Sequence, residues 1–114
     1  MALRARIAGE AMARHVLANE SHIRPLIAIA YSPGAHAGVR PGYRFQLIEA
    51  VLEPLAQSYS QGELRRLELA LATVISAEAC LTLKDVCGAD DKLIVDNIGW
   101  TASQLVTAFL PRKD

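Results

Sequence analysis

The stretch GELRRLELALATVISAEACLTLKDVC, residues 62–87, decides the predicted fold of this chain. It contains no proline, and its apolar residues recur at the three- and four-residue spacing of an α-helix. One side of that helix would carry Leu64, Leu67, Leu71, Val74, Ile75 and Leu81. The opposite side would carry Leu69, Ala72, Ser76, Ala79, Cys80 and Leu83. The pattern therefore predicts one long helix that is apolar on two sides.

A helix that is apolar on two sides must be buried on two sides. One side can cover the core of a small domain, and the other, rich in small residues, permits close approach by a second helix. Left exposed, it would form a larger apolar patch than soluble monomers usually show. We therefore expect a homodimer in which helices 62–87 and 90–110 of two copies form a four-helix bundle. The alternative is a central helix surrounded by the other helices of its own chain.

The expected dimer interface consists mainly of the second side of the long helix, joined by the single tryptophan. Its predicted residues are Leu69, Ala72, Ser76, Ala79, Leu83 and Trp100. Trp100 is expected to pack either between helices or at the seam between the two copies, because a large ring contributes most where it is buried.

The rest of the chain also follows a helical pattern, and four more helices are predicted, over residues 3–19, 22–31, 43–57 and 90–110. Ser21 is expected to cap the second helix, and Pro54 to bend or break the third. Asp90 and Asp91 suit the N-terminus of the last helix, which Pro111 would close. No alternating strand pattern competes. The sequence predicts a single all-α domain of about five helices over residues 1–114.

A loop is predicted between Tyr31 and Tyr43, where two Pro-Gly pairs interrupt the helical pattern. Composition places the chain among globular proteins, with 52% apolar residues, 21% charged residues and a formal net charge of zero. The absence of a basic excess argues against direct contact with nucleic acid. No apolar run is long enough for a transmembrane helix, and the N-terminus has no signal-peptide pattern. We expect a cytoplasmic protein without membrane contact.

Residue types that carry catalysis or bind metals do not form a recognisable set. Cys80 and Cys87 lie seven residues apart on the predicted helix, too far to pair with each other, and are expected to be buried free thiols. The spacing of His15, His22 and His36 does not match a metal site. No phosphate-binding loop or nucleophile motif is present. We expect no enzyme activity, no cofactor and no metal.

Several short motifs occur together in the C-terminal half: Ser76-Ala77-Glu78-Ala79, Leu83-Lys84-Asp85-Val86, a turn at Gly88, and Gly99-Trp100-Thr101. With the helical segments 18–27 and 44–55, they resemble the C-terminal domain of TetR-type transcriptional regulators. The resemblance implies a domain that dimerises through its last two helices and holds a mostly apolar effector pocket among the others. The three-helix DNA-binding segment of that family has no counterpart in residues 1–114. We therefore expect either a fragment of a regulator or a free-standing effector domain.

A ligand pocket of this kind would be apolar with a few polar anchors. Its candidate residues are Met12, His15, Tyr31, Phe45, Leu52, Leu71, Ile75 and Glu78. The same residues could equally form a closed core. The leading functional hypothesis is a homodimeric domain that binds a small, mainly apolar effector. The alternative is an interaction module that pairs with full-length regulators and binds no ligand.

Two carboxylates on the long helix need partners. Glu78 lies on an otherwise apolar face, so its charge must be paired, with Arg24 or His22 as candidates, or it must anchor a ligand. Asp85 lies near the C-terminal end of the helix, where the helix dipole disfavours a negative charge. We expect a cationic partner for Asp85.

Overall fold

The computed structural model describes residues 1–32 and 43–110, and within them it contains helices and no strand. The α-helices are α1 (Ala2–Ala18), α2 (Glu20–Ala30), α3 (Tyr43–Leu52), α4 (Gln61–Val74), α5 (Ala77–Asp85) and α6 (Asp91–Phe109), and a 3-10 turn covers Glu53–Leu55. The predicted all-α class is confirmed. Most of the predicted loop between Tyr31 and Tyr43, and Pro111, lie outside the described residues. None of the described helices is long and apolar enough to cross a membrane.

The antiparallel pair of α1 and α6 forms the centre of the fold. The C-terminal half of α1 and the N-terminal end of α6 line one groove, which fixes their opposite directions. The two helices cross where Gly9 meets Gly99, and both glycines are buried. A Cβ atom on Gly9 would lie 3.1 Å from the carbonyl oxygen of Ile98 and 3.3 Å from the Cα of Gly99. The missing side chain lets the two backbones approach closely.

The core lies between this pair and the shorter helices. α6 contributes one residue per turn to the core, as expected for an amphipathic helix: Ile94, Ile98, Ala102 and Val106. α3, α4 and the segment after α4 add Ile48, Val51, Leu71 and Ile75, all of which are fully buried. Among the described residues, no buried side-chain nitrogen or oxygen lacks a hydrogen-bond partner.

The prediction of one continuous helix over residues 62–87 is wrong, because the chain breaks at Ile75 and Ser76. α4 ends at Val74, and Ser76 has an extended backbone with φ −154° and ψ 152°. The Ser76 hydroxyl accepts a hydrogen bond from the backbone N–H of Ala79 at 3.0 Å, which caps the N-terminus of α5. The two predicted apolar sides therefore do not belong to one helix.

Other predicted boundaries had mixed outcomes. The break at Pro54 is confirmed, since α3 ends at Leu52 and the 3-10 turn follows. Asp90 caps α6 as expected, accepting a hydrogen bond from the N–H of Leu93 at 2.9 Å. Ser21 does not cap α2, because that helix begins at Glu20 with Asn19 preceding it.

Two features in the C-terminal half were missed or mispredicted. Ser60 and Glu63 form a reciprocal capping box at the start of α4, and their Ser-x-x-Glu spacing was the available signal.

The two cysteines differ in burial. Cys80 is buried as expected, and its burial raises the pKa of the thiol to about 11. Cys87 is exposed instead of buried, because α5 ends at Asp85 and the chain turns toward Gly88.

Candidate functional site

The side of α2 that faces the domain carries charged residues. Its half-buried positions include Glu20, Ile23, Arg24 and Ile27, and no residue of this helix is fully buried. The opposite side exposes Leu26 at 53% and Ile29 at 64%. Apolar side chains of α2 therefore lie on both of its sides, and the side that faces the domain also carries Glu20 and Arg24.

Arg24 attaches α2 to the C-terminal end of α5. Its guanidinium donates two hydrogen bonds to the Asp85 carboxylate, at 2.9 and 2.7 Å, in the two-pronged geometry that favours Arg–carboxylate pairs. Glu20 accepts from Arg24 at 3.0 Å and from Lys84 at 2.7 Å. Lys84 also lies 3.5 Å from Asp91 at the start of α6. We call these five residues the charge cluster; the expected cationic partner of Asp85 is confirmed.

The members of the charge cluster stabilise one another's charged forms. The hydrogen bond from Arg24 lowers the pKa of Asp85, and hydrogen bonds from Lys84 and then Arg24 lower the pKa of Glu20. Conversely, the bond to Asp85 raises the pKa of Arg24, and the bond to Glu20 raises the pKa of Lys84. Opposite charges at this distance favour ionisation. These four residues are therefore charged together across the neutral range.

Glu78 lies at the other end of α5, beside the end of α2. The Tyr31 hydroxyl donates to Glu78 Oε2 at 2.9 Å, and Arg44 of α3 donates to Oε1 at 2.5 Å. The prediction that Arg24 or His22 pairs with Glu78 is wrong. α2 runs antiparallel to α5, so the start of α5 meets the end of α2, and Arg24 is held at the opposite end. We call Tyr31, Arg44 and Glu78 the Glu78 cluster.

The structure brings together two of the predicted ligand residues, Tyr31 and Glu78. Arg44 was missed, although it directly precedes the predicted residue Phe45. Phe45 itself is partly exposed on α3. A carboxylate bonded by a phenol and a guanidinium can exchange either partner for a ligand donor.

The other predicted ligand residues lie apart from this cluster. Met12, Leu71 and Ile75 are buried in the core, as the closed-core alternative describes. Leu52 is half-buried against the same core. His15 is exposed near the end of α1, where its ring nitrogen lies 3.5 Å from the amide nitrogen of Asn19.

Two open grooves occur elsewhere on the described surface. One, of about 560 Å³, runs between the C-terminal half of α1 and the start of α6, with Glu10, Leu17 and Val95 in its lining. The other, of about 270 Å³, is an apolar groove between α1 and α3. No predicted ligand residue lines either one. Residues 1–32 and 43–110 contain no group of three His, Cys, Asp or Glu residues able to hold a metal ion.

The predicted interface residues do not form one continuous surface. Ser76 is 4% exposed and serves as a cap, while Ala72, Ala79 and Leu83 are half-buried against the core. Leu69 on α4 and Trp100 on α6 remain exposed. The break at Ser76 explains why these residues are separated. The small residues of the predicted helix lie partly at the end of α4 and partly at the start of α5, with the break between them.

Trp100 has a neighbour that the sequence analysis missed. Leu93 lies seven residues earlier on α6, and this spacing places both on one side of the helix. Leu93 is 56% exposed and Trp100 is 51% exposed. The spacing itself was the signal that could have found Leu93.

Comparisons of the chain with protein families, with curated proteins and with solved structures gave no match. The features that bear on function are therefore the exposed side of α6, the charge cluster and the Glu78 cluster.

Proposed function

We propose that this chain is a helical assembly domain, of the kind that TetR-type regulators carry at their C-terminus, and that it forms a homodimer through the outward side of α6. The observation that carries the proposal is the pair of large apolar side chains, Leu93 and Trp100, that α6 exposes on one side. The opposite side of α6 is buried against the rest of the domain. This helix is thus fixed in place, while about half of each of these two side chains stays exposed.

The surroundings of Leu93 and Trp100 suit a helix–helix contact. Residues of moderate size continue the same side toward the C-terminus, with Gln104, Thr107 and Ala108 all exposed. Asp96 is the charged residue on this side, and its carboxylate lies 3.6 Å from the Arg6 guanidinium. A paired charge at the edge of an apolar contact is compatible with burial of the centre.

The two exposed side chains could form only the centre of an interface. Half of a tryptophan and half of a leucine side chain amount to roughly 200 Å² per copy. A stable interface buries about 1,200–2,000 Å² in total. The proposed dimer therefore needs the polar and small residues around Leu93 and Trp100 to supply most of the buried area.

Sedimentation at micromolar concentration tests the dimer, since the monomer has a mass of 12.3 kDa. The emission of Trp100, the single tryptophan, reports the same contact, because burial in a dimer shifts it to the blue as concentration rises. We expect the double substitution Leu93→Glu with Trp100→Glu to give a monomer with unchanged helix content.

The matched control introduces two glutamates at equally exposed apolar positions elsewhere, Leu26→Glu with Ile29→Glu on α2. This variant should remain a dimer. A monomeric wild type at 100 µM would refute the proposal. Loss of the dimer in the α2 variant, but not in the α6 variant, would show that the interface lies on α2.

A second candidate function is binding of a small, mainly apolar molecule at the Glu78 cluster. The observation that favours it is the position of Glu78, whose carboxylate is partly exposed. Glu78 follows the fully buried Ile75 by three residues and precedes the buried Leu81 by three residues. An apolar molecule with one hydrogen-bond donor could bond to Glu78 and contact the edge of the core. The mixture of apolar wall and one polar anchor is typical of small-molecule sites.

Thermal unfolding in the presence of hydrophobic amines, alcohols and amides tests this second function, because a bound ligand raises the melting temperature. A compound that stabilises the wild type should lose its effect on Glu78→Gln. The control is Glu68→Gln, which removes an ion-paired carboxylate of α4. A wild type that no compound stabilises, or a shift retained in Glu78→Gln, would contradict binding at this cluster.

A further inference from the structure

We infer that α2 is a strap, a helix that charge pairs hold on the domain and that detaches as a unit while α1 and α3–α6 stay folded. The inference rests on burial and on the register between α2 and α5, and it holds whether or not the chain dimerises or binds a ligand. Among the described helices, α2 alone contributes no fully buried residue to the core. Its attachment must therefore come from other contacts.

The polar contacts of α2 follow a regular register along α5. Arg24 pairs with Asp85 at one end, and Tyr31 bonds to Glu78 at the other. Each pair of positions is seven residues apart, which is about 10 Å along either helix. The two helices are thus matched over the same length and pinned near both ends of α5.

Apolar side chains of α2 also contact the domain. Ile27 lies between Arg24 and Tyr31 along α2. Ile23 and Ile27 are half-buried and pack against the core. Half-buried apolar side chains contribute less than the fully buried ones that hold α6 against α1. The charge cluster is therefore a substantial part of what holds the strap closed.

The balance of these contacts decides how α2 opens. Exposed ion pairs weaken as salt screens them, whereas burial of apolar side chains does not weaken with salt. An 11-residue helix is also unstable on its own in water, so α2 unfolds once it leaves α5. Regions with few buried contacts open at lower free energy than the whole domain. Detachment should therefore be local and promoted by salt.

Opening changes what the domain presents to solvent. Glu78 loses the bond from Tyr31, and Asp85 loses the two bonds from Arg24. The result is a side of α5 that presents a carboxylate near each end to solvent. The strap thus controls access to these two carboxylates without a change in the α1–α6 pair.

Amide hydrogen exchange tests the strap directly. At 50 mM NaCl, amides of residues 26–31 should exchange faster than those of residues 98–109 in α6. Raising the salt to 500 mM should accelerate exchange in α2 several-fold and leave α6 unaffected. Asp85→Asn, which removes the carboxylate that Arg24 bonds, should accelerate exchange in α2 on the order of fivefold.

Two further variants distinguish the loss of the Arg24–Asp85 ion pair from a general loss of stability. Asp85→Glu keeps the charge and should retain most of the protection of α2. Glu68→Gln breaks the ion pair with Arg65 inside α4 and should leave α2 unchanged. Replacing Asp85 by Asn also removes a charge that opposes the dipole of α5, so α5 itself should not lose protection through its own helix end.

The inference is overturned if amides of α2 and α6 in the wild type exchange at one common rate, because all opening would then be global. It is also overturned if salt or Asp85→Asn accelerates α2 and α6 equally. The salt series needs only the wild type, so it decides the matter even if a variant fails to fold.

Discussion

The crossing of α1 and α6 at Gly9 can be tested by Gly9→Ala. Within a helix, alanine is normally favoured over glycine by about 1 kcal/mol. At Gly9 the new Cβ would lie 3.1 Å from the Ile98 carbonyl oxygen and 3.3 Å from the Gly99 Cα, and both are backbone atoms that cannot rotate away. Overpacking at such contacts costs about 1–3 kcal/mol. We expect the packing cost to exceed the gain, with a net loss of about 1 kcal/mol.

Urea denaturation and thermal melting measure this loss. A change of about 1 kcal/mol corresponds to roughly 4 °C in melting temperature for a domain of this size. The matched control is Gly62→Ala in the first turn of α4, where the new Cβ would come no closer than 4.0 Å to the Ser60 Oγ. That substitution should stabilise the protein by up to about 1 kcal/mol.

Gly99→Ala, at the same crossing, provides the finer comparison. Its Cβ would lie 2.6 Å from the Cγ of Glu10, which is a side-chain atom on the rim of the crossing. Relieving this clash requires the whole Glu10 side chain to rotate, at the loss of its 3.1 Å contact with Arg6. We therefore expect Gly99→Ala to be destabilising as well, through a side chain instead of the backbone. If Gly9→Ala is as stabilising as Gly62→Ala, the two backbones are not in close contact and the reasoning is refuted.

Three other outcomes are expected. Ser76→Ala should lower the free energy of unfolding by about 1 kcal/mol in urea, because it removes the N-cap of α5; an unchanged midpoint would contradict that role. The pKa values of Glu20 and Asp85 are lowered from 4.5 and 3.8, so their contribution to holding α2 is present above about pH 4.5 and lost as the pH falls through the lowered values. Hydrogen exchange of α2, corrected for its intrinsic pH dependence, should show that loss, and constant protection down to pH 2 would count against it. A thiol reagent should modify Cys87 at once but reach Cys80 only on unfolding, because Cys80 is buried and its pKa is about 11; equal rates at the two thiols would be inconsistent with the fold.

The parts of the fold that the sequence predicted are those set by local chemistry. Helical spacing alone distinguishes an all-α chain from one with strands. Proline ends a helix by its own geometry, as at Pro54, and an aspartate favours a helix N-terminus, as at Asp90. Periodicity placed Leu71 and Ile75 on the side of the helix that could cover the core, where both are fully buried, although both were also candidate ligand residues. These outcomes depend on no distant part of the chain.

The break at Ser76 could not be predicted in the same way. Serine fits the small-residue side of a helix as well as it caps a new one, so periodicity runs through residue 76 without interruption. The choice is made by tertiary packing: the backbone leaves the helix at Ile75, which is fully buried, and the Ser76 hydroxyl then satisfies the N–H of Ala79. Two helices of moderate length thus replace one long helix.

The partners of Glu78 and Asp85 were also predictable only in part, because one depends on local chemistry and the other on tertiary packing. The need for a cation beside Asp85 follows from its position near a helix end, and the structure supplies one. Which residues surround Glu78 depends on the direction in which α2 returns across α5. Arg24 and Tyr31 are both on α2, and only the antiparallel register assigns the first to Asp85 and the second to Glu78.

The break at Ser76 also changes which surface can support association. A continuous helix would have offered a long stripe of small residues, but Ser76 is buried and Ala79 is half-buried at the junction between α4 and α5. The exposed apolar residues of α6 remain, and α6 is held by α1 along its buried side. The charge cluster reaches α6 at Asp91, two residues before Leu93, through Lys84 of α5. Because α6 keeps its buried contacts with α1 when α2 detaches, the proposed dimer surface stays intact, and assembly and strap opening are physically separable.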